Sequence, residues 1–545
     1  MLIEIHMIQN HSPANLNRDD LGAPKTCIFG GVIRARISSQ CLKRSIRKPA
    51  NPDDIHDRGA GIFAQAMAGH IGCRSKFFPW LVEQELKNTL IPEEDHARIV
   101  MAAQRIATTK EKEQKNKADK KDDRPKTPQI ISFGHGDAKR FVAKLLELRE
   151  SDKNGYGYFL NPRVGFEEMV RGYLEDSGLD EKVINKIVKV SWLIAKCRMR
   201  QLPSYEEDMS MGNDHGQYEA KLIADDLKML DSKSDEFKNL TRNATSDEKA
   251  RLKEDAPEKP KKMDDFISKL KNTLISNAVD IALFGRMTTS DYFEDVEAAM
   301  QVAHAISTHA AVNAVDYFTA VDDRGKTGGG AGHVDEAMYN SACFYKYFCL
   351  DWDQLVFNLT RPAPDEKDTT THKEWENKLK PEKTRLAAAT LGHFIRAAAL
   401  STPGGKQNSF ASHCEPCGIL VEIKKTKTPT SYANAFAEPV ERIGKPDDDT
   451  ADEKSIEGRS VACLADHVQA IRNAYEIDST LLWYSPKLWR FPFQYWERSA
   501  DGKKTIAKPV TERTFDKLDS LVKALAEEIG FDWQQVKNIG AAAEA

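Results

Sequence analysis

The sequence predicts an α+β protein: a sheet-forming core interrupted by a large helical lobe. Three observations predict it. The first residues alternate with a period of two, the stretch from about Asp53 to Asn277 has a helical period, and strand-like runs return in the C-terminal half. At 545 residues the chain is long enough for several lobes and a sizeable core.

In chain order, Ile3, Ile5 and Met7 alternate with Glu4 and His6, which predicts a strand with one buried face. A polar loop, His11–Asp20, follows. Val32–Ile37 alternates again, with Arg34 and Arg36 on one face and Ile33, Ala35 and Ile37 on the other. Helical periods then appear around Arg98–Ile106, in Lys182–Lys196, and at Phe266, Leu270 and Leu274. Four segments are almost wholly polar: Lys110–Lys126, Ser232–Lys262, Thr360–Lys383 and Lys445–Glu457. They read as surface insertions, since they hold too little apolar surface to offset their ordering entropy. Val279–Phe284 is strand-like, and Glu294–Ile306 is expected to be a helix. A glycine-rich loop spans Gly325–Gly332. The last helix carries Phe515, Leu518, Val522, Leu525 and Ile529 on one stripe.

Composition excludes several classes. The beginning has Glu4 and no basic stretch ahead of an apolar run, unlike a signal peptide, and no uncharged apolar stretch approaches a membrane span. Nine scattered cysteines fit reduced thiols and a cytoplasmic location better than a disulfide framework.

The net charge of −4, from 79 Lys+Arg and 83 Asp+Glu, hides a patch. Residues 21–52 contain no acid and seven bases: Lys25, Arg34, Arg36, Lys43, Arg44, Arg47 and Lys48. The rest of the chain is correspondingly acidic. Ser38 and Ser39 are N-cap types and Pro49 is a stop, so a short helix lies between them. On it Gln40, Lys43, Arg44 and Arg47 share one face, opposite Cys41, Leu42, Ser45 and Ile46. Hydroxyls and free N–H groups at the helix start attract phosphate, and a cationic row can follow a phosphate backbone. Arg34 and Arg36 would extend that surface. The alternative is a solvated basic face; the lack of acids at pairing distance favours a polyanion site.

His11–Lys48 (HSPANLNRDDLGAPKTCIFGGVIRARISSQCLKRSIRK) closely resembles the N-terminus of the CasC family, the backbone subunit of type I-E CRISPR Cascade complexes. The resemblance resumes at Asp280–Met287, Gln301–His309, Asp316–Asp323, Gly332–His333, Pro403–Phe410 and Ser431–Phe436, in the family's order. It implies a modified RRM-like (ferredoxin-like) palm, helical fingers and a β-hairpin thumb. Residues 1–48, 278–308 and 342–545 would form the palm, 49–277 the fingers, and 309–341 the thumb.

It also implies a non-catalytic protein without cofactors, whose partners are a CRISPR guide RNA, target DNA paired with it, further copies of the chain, and other Cascade subunits. Matching positions assign guide contacts to Arg18, Lys25, Ser38, Ser39, Gln40, Lys43, Arg44, Arg47 and Lys406. Tyr317, Phe318 and Met287 match the thumb and Met wedge positions that displace a nucleotide; the thumb strand proper would begin at Thr319, after the aromatic pair. The insertions near 110–126 and 232–262 enlarge the fingers beyond the family's pattern.

Signals for catalysis are weaker. Gly325-Lys326-Thr327 ends like a phosphate-binding loop, but Ala320 stands where the first glycine is needed and no helix follows. Cys414 and Cys417 have metal-like spacing without a second ligand pair at a usual offset. His304 and His309 are spaced poorly for a shared helix face and read as structural. Asp322 and Asp323 leave one alternative open, a type III-like backbone subunit that cuts target RNA with a thumb aspartate. A second alternative is a general single-stranded RNA binder.

Overall fold

A computed structural model describes residues 1–50, 59–89, 91, 93–105, 124–127, 130–134, 136–153, 156–157, 160, 170, 266, 270, 278–288, 293, 295–320, 333–360, 381–441, 455–487, 494–498, 505–509 and 513–539. The helical run Lys182–Lys196, the insertion 232–262, most of 110–126 and 360–383, the glycine-rich loop and Asp322–Asp323 lie outside them.

The described elements begin with β1 (Leu2–Ala14), β2 (Thr26–Phe29), β3 (Val32–Ile37), α1 (Ser39–Arg47) and α2 (Ile62–Ala66). The lobe contributes β4 (Cys73–Ser75), α3 (Phe78–Leu86), α4 (Glu93–Arg105), β5 (Ile131–Phe133) and α5 (Asp137–Ser151). Next come α6 (Val279–Phe284), β6 (Met300–Val302), β7 (Ala305–Ser307), β8 (Ala314–Ala320) and β9 (His333–Asp351). They are followed by α7 (Trp352–Thr360), α8 (Pro381–Leu400), α9 (Gln407–Phe410) and β10 (Gly418–Lys424). The chain continues with α10 (Ile456–Ala474), β11 (Ser479–Tyr484), β12 (Gln494–Arg498), β13 (Thr505–Pro509), β14 (Thr514–Phe515), α11 (Leu518–Glu528) and α12 (Trp533–Val536).

One ten-stranded sheet runs β14-β11-β10-β1-β9-β7-β3-β2, with β6 and β8 also paired to β9. Among the described residues all its ladders are antiparallel except β11 with β14. The α+β class is the one expected. The strand β1 is central, between β9 and β10, and apolar layers on both sides of the sheet bury both of its faces rather than one. Ile3, Ile5 and Met7 meet α8 and α11 residues such as Phe394 and Leu525, while Leu2 and Ile8 join Trp483 and Leu464 of α10 on the other side. Glu4 and His6 on that second face are fully buried. Glu4 is satisfied by Lys424, Tyr347 and the Thr430 N–H, and Glu422 by Arg472, Tyr432 and Ser479.

Two further assignments are corrected. Val279–Phe284 is helix α6, not a strand. Its apolar residues divide by helical spacing, with Val279, Ala282 and Leu283 in the main core, and Gly285 (φ 79°) ends it. A short apolar run does not distinguish the two periods by itself. The expected helix Glu294–Ile306 is instead a bridge between Arg286 and Val296 followed by β6 and β7, because β9 supplies ladder partners for that segment.

A separate apolar cluster holds the lobe together. Phe78 packs edge-on against Phe133, Phe141 and Phe293 at centroid distances of 5.2, 5.8 and 5.6 Å, joining α3, β5 and α5. Phe266 and Leu270 belong to this cluster, as their four-residue spacing predicts. No helix among the described residues is long and apolar enough to cross a membrane.

Candidate nucleic-acid interface

Helix α1 is built as the sequence predicts, and the polar loop ahead of β2 locks its start. Ser38 is its N-cap: its Oγ accepts from the Cys41 N–H at 3.3 Å. Leu42 enters a cluster with Ala35, Ile37 and Phe344, and Ile46 enters the main core. The loop preceding β2 holds the helix start. Asn17 Oδ1 accepts from Ser38 N at 2.9 Å, and its carbonyl accepts from Lys25 N at 2.8 Å. With no acid in the first turn of α1, its N-terminal dipole is left uncompensated on its own helix.

The outward row is shorter than the spacing implied. Gln40 and Arg44 are exposed, Ser39 is half-buried, and Lys43 is half-buried with its ammonium 5.4 Å above the Phe284 ring. Part burial lowers the Lys43 pKa. Arg47 is a correction: it turns inward and pairs with the buried Asp280 at 3.0 Å, so it does not extend the solvent-facing row. Ser38 is also reassigned, since it is buried and its oxygen is used in the cap.

Arg34 is a larger correction. Rather than adding to the basic surface, it is fully buried and donates to the carbonyls of Phe29, Ser307, Thr308, Phe436 and Ala437 at 2.8–3.3 Å. Carbonyls satisfy all its donors, which explains how a guanidinium survives there with no carboxylate partner among the described residues. Arg36 remains at the surface, donating to Thr26 O and lying 3.2 Å from His304 Nδ1.

Arg18 and Lys25 flank a turn in which Asp19 Oδ1 accepts from Leu21 N and Ala23 N. Buried Asn15 ties this turn to the hairpin base, donating to Gly22 O at 2.9 Å and to Met338 O at 2.8 Å. Gly405 presses on the same loop: a Cβ there would lie 2.3 Å from Asn15 O, so only glycine fits. The next residue, half-buried Lys406, has φ 46°. An open cleft bounded by Leu16–Asp20, Gly22 and Gly405 separates the two loops. Arg18, Lys25, Lys406 and the start of α1 are thereby brought into one neighbourhood.

The hairpin β8–β9 rises from this neighbourhood. Tyr317 and Phe318 lie inside β8, opposite Glu336 and Asp335, not ahead of the strand. Adjacent residues point to opposite ribbon faces, and both are solvent-facing, at 70% and 45% exposure. Val315 and Met338, directly opposite one another, are also exposed and share the Tyr317 face. Met287 is 94% exposed on the loop after Gly285. Apolar side chains displayed this way lie outside the buried core; they suit contact with bases or another apolar surface.

Of the other motifs, His309 is structural: its Nε2 accepts from Cys343 N at 3.2 Å while Nδ1 faces Ala310 O at 2.8 Å. Cys417 is buried against Ile8 O, and Cys414 lies 3.9 Å from Ser12 Oγ. Asp280, Asn15 and Asn17 escaped the sequence reading. A lone acid inside the apolar run VDIALF was the available signal for Asp280, since such a group needs a buried partner.

A family model described as "CT1975-like protein" matches residues 3–157 and 163–510. The chain belongs to the CT1975-like family. Among solved structures, a chain of a "CRISPR RNA-guided surveillance complex, pre-nicking" is 19% identical, with TM-score 0.50, covering 96% of this chain and 100% of its own. A chain of a "CRISPR RNA-guided surveillance complex" is 17% identical, with TM-score 0.41, covering 97% of this chain and 100% of its own. The first shows a shared fold. No curated protein matches this CT1975-like chain.

Proposed function

We propose that this CT1975-like protein is a non-catalytic guide-RNA-binding backbone subunit of a CRISPR surveillance complex of the type I-E Cascade kind. Copies line up along the guide, hold its phosphates, and leave base edges free to pair with target DNA and form an R-loop. One observation carries the reading. The outward cations of α1, together with Arg18, Lys25 and Lys406, stand at the foot of a hairpin that displays Tyr317 and Phe318 on opposite faces. Cations there meet a backbone, and aromatics meet base faces, without an array suited to reading sequence. The family and the shared fold support the CRISPR context.

The test is co-expression with a CRISPR array. The expected product is an RNA-bound oligomer enriched in repeat-derived guide. A monomer free of RNA, or equal retention of unrelated RNA, overturns the reading. Metal-dependent cutting of target RNA lost in Asp322→Ala or Asp323→Ala would replace it with a nuclease role.

A further inference from the structure

A buried polar cluster lies beneath the loop that carries Lys406, and guide contact makes no direct use of it. Lys346 of β9 is 1% exposed and, among the described residues, has no carboxylate partner; its ammonium donates to Gln9 Oε1. Gln9, itself fully buried, donates through Nε2 to Cys414 O and, at 3.5 Å, to Ala399 O. Ala399 lies in the last turn of α8, and Cys414 precedes β10. One amide therefore fastens both ends of the segment 400–413. Within that segment Gly405 rests on Asn15 O, and the Phe410 ring lies 5.4 Å from that of Tyr339 at the hairpin base, tilted by 40°.

The amide's orientation follows from chemistry. An ammonium has three donors and no acceptor, so it selects the carbonyl end of Gln9 and forces the NH₂ toward the two backbone carbonyls. The Ala399 and Cys414 carbonyls demand the same orientation from the other end, and a neutral apolar residue at 346 would leave the Gln9 carbonyl without this partner. Burying an ammonium against a single neutral acceptor is costly, which makes the arrangement hard to explain as packing alone.

We propose that Gln9, oriented by Lys346, is a positioning residue that fixes the 400–413 loop and so aims Lys406 at a phosphate of bound RNA. The proposal rests on the guide-binding reading above and deepens it.

The test uses the full chain and a single-stranded CRISPR repeat RNA, with affinity measured over a range of salt. The chosen variant is Gln9→Glu. Its carboxylate keeps a partner for Lys346 but cannot donate to the carbonyls of Ala399 and Cys414. One lost phosphate contact lowers the slope of log K against log salt by about 0.7 on a single strand. That fall is expected in Gln9→Glu and equally in Lys406→Ala, with no further fall when the two are combined. The double variant Gln9→Leu/Lys346→Met removes both buried polar partners together and should behave as Gln9→Glu does, so a folding defect in one variant leaves the other informative. An unchanged slope in Gln9→Glu, or additive losses with Lys406→Ala, overturns the positioning role while sparing the guide reading. An unchanged slope in Lys406→Ala alone removes Lys406 from the interface and overturns the positioning role, whereas a failure of the unsubstituted chain to bind the repeat RNA overturns the guide reading.

Discussion

The guanidinium of Arg47 lies 3.0 Å from the carboxylate of Asp280, on the side of α1 turned away from solvent. Asp280 is only 2% exposed and also accepts the Gly72 N–H at 2.6 Å. One carboxylate therefore joins α1, α6 and the chain entering β4. Removing one member of a buried ion pair leaves the other uncompensated, at roughly 3–5 kcal/mol. Arg47→Met is accordingly expected to lower the thermal midpoint markedly, by a mechanism unrelated to RNA. Burial already raises the Asp280 pKa, so the deficit should shrink as acid neutralises that carboxyl. A deficit independent of pH would contradict the pairing.

Lys43 and Arg44 should behave in the opposite way. Arg44 is exposed, and Lys43 is only half-buried. Lys43→Ala and Arg44→Ala are each expected to change stability by about 0.5 kcal/mol or less, while lowering the salt slope of RNA binding by about 0.7. Calorimetry and salt-dependent binding on the same preparations check both halves. Together with the Arg47 variant they separate the cations that fold the helix from those that bind.

That separation marks the limit of helical spacing as a guide. Gln40, Lys43, Arg44 and Arg47 do share a face, and Ser38 does cap it. Spacing does not reveal that α6, more than two hundred residues later, covers the last turn of that face. Arg34 was hidden for the same reason. Strand alternation correctly set it opposite Ala35 and Ile37, but the carbonyls that bury it come from β7 and from the segment ending at Ala437. Local period was legible in β1, β3, α1 and the lobe core, whereas the covering of each face by distant chain was not. The segment Glu294–Ile306 failed differently, because the ladder offered by β9 overrides its helical preference.

Arg34 yields a direct test of its carbonyl cage. A lysine has three donors where the guanidinium serves five carbonyls, so Arg34→Lys strands at least two of them. Buried acceptors left unpaired cost about 1–3 kcal/mol each. Arg34→Lys is therefore expected to destabilise by several kcal/mol despite keeping the charge, as read by denaturant unfolding. A near-neutral outcome would show that charge alone matters there.

The hairpin aromatics should show binding loss without folding loss. Tyr317 and Phe318 are largely solvent-facing, so Tyr317→Ala and Phe318→Ala are expected to leave the unfolding midpoint nearly unchanged. If each stacks on a base, each substitution weakens guide binding by about 1–3 kcal/mol. Because they occupy opposite faces of the ribbon, the two losses should add, each aromatic touching a different nucleotide. Strong non-additivity would mean that they share one base, which the strand geometry forbids.

The buried histidines and Lys346 make stability depend on pH in two windows, both with the same sign. Burial lowers the pKa of His6 and of His11 to about 3, so these rings stay neutral in the folded chain while the unfolded chain protonates near 6.5. Between those values the unfolded state binds more protons, and stability falls as pH drops, by up to about 1.4 kcal/mol per unit for each ring. His11→Phe retains an aromatic ring beside Phe344 and should flatten part of that acid slope. Burial also lowers Lys346 to about 8, below its ordinary value of 10.5. In that alkaline window the unfolded chain again holds the extra proton, so Lys346 makes stability rise from pH 8 toward 10. Other groups titrate there too, notably buried tyrosines whose raised pKa values act in the opposite sense, so the comparison must be between chains. The wild type minus Lys346→Met difference should rise with pH across that window. A difference flat in pH would mean that the ammonium is not desolvated, and that Gln9 is not held as the buried geometry requires.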